Sequence, residues 1–408
     1  MQQVRIAGKY NLVQTIGQGG FGDVYKATET KTGKTVALKL ERRSTGDMVF
    51  YEGRILQYLK DIVGIPKMFD IGFDGDFNYL AMEYCGHSLA SLHTLVGGTF
   101  TLKTTLQLAL KLLTILETVH NKYILHRDLK PENILFNPAT GFFYLIDFGL
   151  AKRYVDKNGK HIPRLENKDF RGTLRYCTLN MHLGVENSRR DDLESFLYVL
   201  IFLLKGKLPW QNIQAEISNK AEQIKKIKMT IKIADLCQGL DEGFAELLTY
   251  VRNMGFAEFP DYGKFRTTFH KMLKKANLKE DELYDWSKLD VETLLNSRGT
   301  KKQQADSEKR LGEHSREEEP APKPAPPAPP VQPHPAQKAG VISPNPVTPQ
   351  PPPAQQGGMI GGGTFKRAVG GKKALPDVDP TFQLELAAAM VDGGRKQPKI
   401  VQPTIPKK

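Results

Sequence analysis

Cysteine is scarce in this chain: three residues, Cys85, Cys177 and Cys237, stand among 408. They are too few and too scattered for a disulfide frame or a zinc site, so a reducing compartment is expected. Long apolar runs are missing too, since the most apolar one, Phe196 to Leu204, is far short of the ~18 residues a membrane span needs. The opening MQQVRIAGKY has no signal-peptide core. A soluble monomer without a membrane span is expected in the cytoplasm, with nuclear import left open. Ser and Thr are absent between Asp147 and Gly172. Ordering that stretch by a Ser/Thr phosphate is therefore closed, and only Tyr154 remains.

Proline is sparse until late, because 20 of the 26 prolines fall at or after Pro320. Up to Leu295 the apolar residues recur at helix and strand periods, whereas 296–408 is filled with Pro, Ala, Gln, Gly and Lys. Such a tail cannot bury enough apolar surface to offset ordering and reads as disordered. It carries Pro-x-x-P patterns, Pro324 to Pro327 and Pro327 to Pro330, suited to adaptor proteins. Its one helical prospect runs from Pro380 to Val391, and Ser307, Ser315 and Ser343 are few. The net charge of +13 comes with no nucleic-acid motif, which favours acidic or phosphorylated protein as partner over nucleic acid.

Tyr10 to Glu41 reads as three strands, the first two joined by a glycine hairpin in which Gly17, Gly19 and Gly22 give G-x-G-x-x-G. Without Cβ atoms, this backbone can approach phosphates. Phe21 to Ala27 alternates like a strand, so the motif is a flap over phosphates rather than the opening of a helix. In the third strand Val36, Leu38 and Leu40 take one face, and Ala37, Lys39 and Glu41 the other. Met48 to Lys60 has a helical period that places Val49, Glu52, Leu56 and Leu59 on one stripe. A carboxylate on an apolar stripe needs a cation, and Lys39 is the expected partner, held to meet ATP phosphates. Two more strands, Lys67 to Phe73 and Phe77 to Tyr84, flank an Asp74-Gly75 turn. Cys85-Gly86 then breaks the pattern at a hinge. The nucleotide would lie between the lobes, against Ile16, Gln18, Gly20, Phe21, Asp23 and Val24 of the flap. Ala37 and Leu135 would cover the base, Met82 would stand behind it, and the backbone of Glu83 and Cys85 would bond its edge.

Thr101 to Asn121 and Asp192 to Leu204 read as helices, the second apolar almost all round, with further helices at Phe244 to Gly255 and Tyr262 to Ala276. The first leads into His126 to Gly149, HRDLKPENILFNPATGFFYLIDFG. Its spacing of Asp128, Lys130, Asn133 and Asp147 suits phosphoryl transfer, where positioning and charge neutralisation do most of the work. Asp128 would orient the attacking hydroxyl, Lys130 would steady the γ-phosphate, and Asn133 and Asp147 would hold Mg2+. Asp192 reads as a structural acceptor for backbone N–H groups of this loop, and His126 as a packed core residue.

In order and context the flap, Lys39, Glu52, His126-Arg127-Asp128, Asn133 and Asp147-Phe148-Gly149 resemble the protein-kinase signature over about Tyr10 to Leu295. The resemblance implies an α+β bilobal fold: a 1–9 extension, then a catalytic domain at 10–295. Its small lobe would be about 10–84 and its helical lobe about 87–295. Lys130 resembles serine/threonine kinases. Thr178-Leu179-Asn180 stands where Ala-Pro-Glu is usual, and with VALKLE, VGIP, LPW and HLGVENSRRDDLES it looks like the casein kinase 1 family. That resemblance implies acceptors placed after a phosphorylated or acidic residue, read by Arg171, Arg175 and Lys220, and an enzyme active as made. Gly20 and the stretch from Lys220 to Lys228 depart from the family pattern, and the second departure weakens transfer of any nuclear-targeting signal. The rival readings are a pseudokinase scaffold and the tau-tubulin or vaccinia-related kinase branches.

Overall fold

A computed structural model of the chain describes residues 4–19, 22–213 and 217–295. Gly20 and Phe21 of the flap and the tail features named above lie outside the described residues. The small lobe is a six-stranded antiparallel sheet in the order β1-β2-β3-β4-β6-β5. The strands are β1 (Arg5–Ile6), β2 (Tyr10–Gly19), β3 (Gly22–Glu29), β4 (Thr35–Arg42), β5 (Met68–Asp74) and β6 (Phe77–Glu83), with helix α1 (Met48–Tyr58) between β4 and β5.

β4 has the alternation expected of it, but neither face meets water. Val36, Leu38 and Leu40 pack with Tyr10, Ala27 and Tyr79 on one side, while Ala37 joins the main core with its cross-strand partner Met82 on the other. Each such aliphatic side chain contributes about 1.5–3 kcal/mol of burial. Two of the three charged residues of β4, Lys39 and Glu41, turn toward α1. Glu41 accepts the Val49 N–H at 3.1 Å, and so satisfies a free donor of the first helical turn, which Asp47 at the N-cap does not reach with its side chain. Gly22 at the flap's return has φ 123°, and a Cβ there would meet the Leu40 carbonyl oxygen at 2.2 Å.

The larger lobe begins with β7 (His87–Ser88), α2 (Leu89–Leu95) and α3 (Leu102–Asn121), the last capped by the Thr101 side chain, which accepts the Thr104 N–H. Next come β8 (Ile124–Leu125), β9 (Ile134–Asn137), β10 (Phe142–Leu145) and β11 (Lys152–Arg153), in two small sheets ordered β10-β9-β7 and β11-β8. Helices α4 (Leu179–His182), α5 (Arg189–Lys205), α6 (Ile217–Thr230), α7 (Ile233–Leu236), α8 (Glu242–Asn253) and α9 (Tyr262–Lys275) follow.

As its composition requires, α5 is buried along nearly its whole length, from Leu193 to Leu203. It starts at Arg189, three residues before the Asp192 expected from the sequence, because Ser188 and Asp191 form a capping box, and it ends at Gly206 in the left-handed region. Beyond α9 the chain returns to this core: Tyr284 and Trp286 stack at 5.1 Å, both meet Phe136, and Val291 is buried. No helix among the described residues is long and apolar enough to cross a membrane.

Candidate active site

Between the lobes, α1 meets the turn that carries Asp147. Lys39 Nζ donates to Glu52 Oε2 at 2.6 Å and to Asp147 Oδ1 at 2.9 Å, and Glu52 Oε1 accepts the Phe148 N–H at 3.1 Å. Burial acts to lower the Lys39 pKa, but the Asp147 and Glu52 carboxylates overcome it and hold the ammonium above its ordinary value. Asp147 is pushed up by burial and pulled down further by Lys39, so it lies below the usual carboxylate range. For Glu52 burial prevails and the shift is upward. Asp147 itself has φ 63°, in the left-handed region. Non-glycine residues are held there only when their surroundings enforce it, as at many functional sites.

Asp128 sits at the centre of the second cluster. Its Oδ2 accepts from Lys130 Nζ at 2.5 Å, its Oδ1 from the Thr173 hydroxyl at 2.7 Å, and its backbone carbonyl from Asn133 Nδ2 at 2.9 Å. The loop before it is hung from Asp192, which accepts the N–H groups of His126 and Arg127, both at 2.8 Å. This is the structural part read for Asp192 in the sequence. His126 is buried, bonded to the Ile146 carbonyl at 2.9 Å and packed edge-on to Phe148.

The cleft walls come from both lobes. Gly17 pairs with Val24, Gln18 with Asp23 and Gly19 with Gly22 across the flap. Ile16 is exposed above, and Leu135, from β9, is half-buried below. At the hinge Glu83 donates its N–H to Lys67 O at 2.8 Å, and its carbonyl accepts the Cys85 thiol at 3.4 Å.

The protein kinase domain family matches residues 10–258. This chain belongs to that family. The kinase fold therefore accounts for the two lobes, and membership implies ATP as phosphoryl donor with a divalent metal. Among the described residues no cluster of three or more His, Cys, Asp or Glu side chains is placed to hold a metal unaided. A metal shared with substrate phosphates needs fewer protein ligands, and the oxygens of Asp147 and Asn133 suit a hard cation. Asn133 commits its Nδ2 to Asp128, which leaves its Oδ1 as the donor. Those two residues fit such an ion, whose role when bound is to neutralise phosphate charge.

Beside Asp128 the kinase domain has a cavity of about 220 Å3. Arg127, Lys152, Lys168 and Arg171 line it, against Asp169 and Glu186. Arg127 has φ 68°, donates Nε–H to Leu150 O at 2.6 Å, and keeps its buried Nη2 without a hydrogen-bond partner among the described residues. Burial lowers its pKa. Lys152 pairs with Glu186 at 3.0 Å. Of the anion-binding trio expected from the sequence, Arg171 lines this cavity. Arg175 lies over the rings of Tyr176 and Phe202, and Lys220 is exposed on α6. The structure does not bring those two to the cavity.

Lys152, Lys168, Glu186 and Thr173 escaped the sequence reading. Lys168, Glu186 and Thr173 come from irregular stretches and Lys152 from the two-residue strand β11, none of which has a period to mark a shared face. The one signal available was their position around a segment that lacks Ser and Thr yet follows Arg127.

Proposed function

We propose that this kinase is a casein kinase 1-like enzyme that transfers phosphate from ATP, with Mg2+, to Ser or Thr in acidic or pre-phosphorylated proteins, and does so without phosphorylation of its own activation segment. The observation that carries this reading is the cavity of Arg127, Lys152, Lys168 and Arg171 beside Asp128. Three further cations, Lys152, Lys168 and Arg171, surround the free Arg127 donor and outnumber the carboxylates of Asp169 and Glu186, a balance that calls for an anion, and the segment from Asp147 to Gly172 has no Ser or Thr to supply one. A phosphate or carboxylate on the substrate then fills the place. Lys39, Asp128, Asn133 and Asp147 are all present and brought together, which argues against a silent scaffold. Cytoplasmic action is part of the proposal, and the three cysteines, all free and buried, are in keeping with a reducing compartment.

In this reading Asp128 orients the acceptor hydroxyl and takes up its proton, while Lys130 and Lys39 hold positive charge near the phosphates. The test is a pair of Ser peptides, with and without a phosphoserine on the N-terminal side of the acceptor, assayed with wild type and with Lys152→Ala and Arg171→Ala. For the primed peptide KM is expected to rise about ten- to a hundredfold, the worth of one charge-assisted hydrogen bond. The unprimed peptide should change little, and an equal effect on both would sink the substrate reading. A Tyr peptide preferred over the Ser peptide would sink the acceptor assignment.

A further inference from the structure

The lysines of α6 do not share one environment. Lys220 is exposed and Lys225 pairs with Glu222 at 3.1 Å, but Lys228 is only 1% exposed. A buried ammonium is costly unless its three N–H groups find acceptors. Lys228 Nζ donates to the Leu174 carbonyl at 2.8 Å and to the Cys177 carbonyl at 2.6 Å, and lies 3.5 Å from Cys177 Sγ. The rings of Trp210 and Tyr198 stand 4.9 and 5.6 Å from it. Its acceptors are thus carbonyls and a thiol, with aromatic faces completing the pocket. Burial pulls its pKa below the ordinary lysine value, and Cys177 offsets part of this.

Both carbonyls belong to one short irregular stretch. Immediately before it, Thr173 donates to Asp128 Oδ1 at 2.7 Å. Immediately after it, Thr178 caps α4 and donates to Asp191 Oδ1 at 2.9 Å. Within it the Trp210 indole N–H donates to Arg175 O at 2.7 Å. The carbonyls of residues 174, 175 and 177, which no helix or strand satisfies, are therefore held from outside by α6 and by the Leu-Pro-Trp turn. A peptide that delivers a hydroxyl to Asp128 must run past the stretch that starts at Thr173, since Thr173 already touches that carboxylate.

We propose that Lys228 is a positioning residue for the peptide substrate, fixing from beneath the course of residues 174–177 along which the acceptor's neighbours lie. This rests on the reading that the chain phosphorylates hydroxyls in peptides. Lys228 touches neither nucleotide nor acceptor, so its loss acts on peptide binding and leaves the Lys39–Glu52–Asp147 cluster intact.

Lys228→Met fills the same space and removes the donors. Its KM for an acidic Ser peptide is expected to rise about tenfold or more, as two hydrogen bonds from a charged donor are lost. The KM for ATP and the peptide-independent hydrolysis of ATP should stay within about twofold, the scatter expected for a site with no shared partner. Peptide KM unchanged in the folded variant overturns the proposal, and so does a parallel rise in both KM values, which marks a general loss of packing. Should Lys228→Met melt below the assay temperature, Lys228→Gln, which keeps a donor for one carbonyl, is measured instead. An intermediate rise confined to peptide KM is then expected, and an unchanged peptide KM again overturns the proposal. Wild-type turnover of the Ser peptide tests the functional reading, whereas the variant-to-wild-type ratio tests Lys228. If wild type prefers Tyr, the ratio is taken on the Tyr peptide, so the two failures are distinguishable.

Discussion

Glu52 divides its carboxylate between Lys39, at 2.6 Å, and the backbone N–H of Phe148, at 3.1 Å. One side chain on α1 therefore fixes both the strand lysine and the turn that presents Asp147. Lys39→Met leaves two carboxylates facing each other without their cation. Phosphoryl transfer should fall by about 10²–10³-fold, the usual cost of removing one electrostatic contact to the transition state. Breaking a buried ion pair from one side costs about 3–5 kcal/mol, so thermal unfolding of Lys39→Met should shift well below wild type. Glu52→Gln keeps an acceptor for Phe148 and should unfold closer to wild type while still losing activity. A Glu52→Gln enzyme with full activity would show that the coupling does not matter to transfer.

Thr173 donates to the same Asp128 carboxylate that Lys130 reaches from the other side. Asp128→Asn removes the proton acceptor, and kcat should fall by about 10²–10⁴-fold with nucleotide binding kept. Thr173→Val keeps the shape and removes one hydrogen bond to a charged group, worth about 1.5–3 kcal/mol. Its kcat should drop about tenfold or more, and Thr173→Ser should restore it. Single-turnover assays with bound nucleotide measured separately distinguish these outcomes from a loss of ATP affinity.

The strands and the Lys39–Glu52 pair were legible because period-2 and period-3.6 patterns survive in sequence, and because a carboxylate on an apolar stripe demands a partner. Lys228 was not. On an amphipathic helix a lysine reads as solvated, and its actual acceptors are backbone carbonyls some fifty residues away, which carry no residue identity for a sequence to display. The cavity shows the same limit. Arg127 and Arg171 stood out beside recognisable motifs, whereas Lys152, Lys168 and Glu186 meet only through the path of an irregular segment. The first turn of α5 was missed for a related reason: its buried Arg189 and Asp191 are held by hydrogen bonds, from Arg189 Nη2 to Ala257 O and from the Ser188 N–H to Asp191, rather than by apolar contact.

Tyr154 was the remaining hydroxyl by which the activation segment could be switched. It is 2% exposed, and its hydroxyl donates to the His120 carbonyl at 2.6 Å beneath the Arg189 guanidinium, which lies 4.7 Å from the ring. A phosphate there would require the ring to leave the core. Phosphatase-treated enzyme is therefore expected to keep full activity, and Tyr154→Phe to stay active while losing about 1–3 kcal/mol of stability with the bonds its hydroxyl makes to His120 O and accepts from Arg189 Nη1. Activation by an upstream kinase, with the phosphate mapped between Asp147 and Gly172, would contradict this.

Asp191 anchors the chain just beyond residues 174–177, accepting from Thr178 Oγ1 at 2.9 Å, Asn180 Nδ2 at 3.0 Å and the Ser188 N–H at 2.9 Å. Burial raises its pKa to about 6, against the pull of the Ser188 and Asn180 bonds. A folded-state pKa above the unfolded value means the native protein takes up the proton first. This group's contribution to stability therefore grows as pH falls from about 6 toward about 4, and is lost as pH rises back through 6. The protonated carboxyl, however, turns one acceptor into a donor, so Thr178 and Asn180 lose part of their anchor. Peptide kcat/KM should therefore decline below about pH 6 even as the melting temperature of wild type gains on that of Asp191→Asn. The Asn variant, which does not titrate, should show lower activity without that inflection. Paired pH profiles of peptide turnover and thermal unfolding check both signs, and an inflection near pH 6 that persists in Asp191→Asn would assign it to another group.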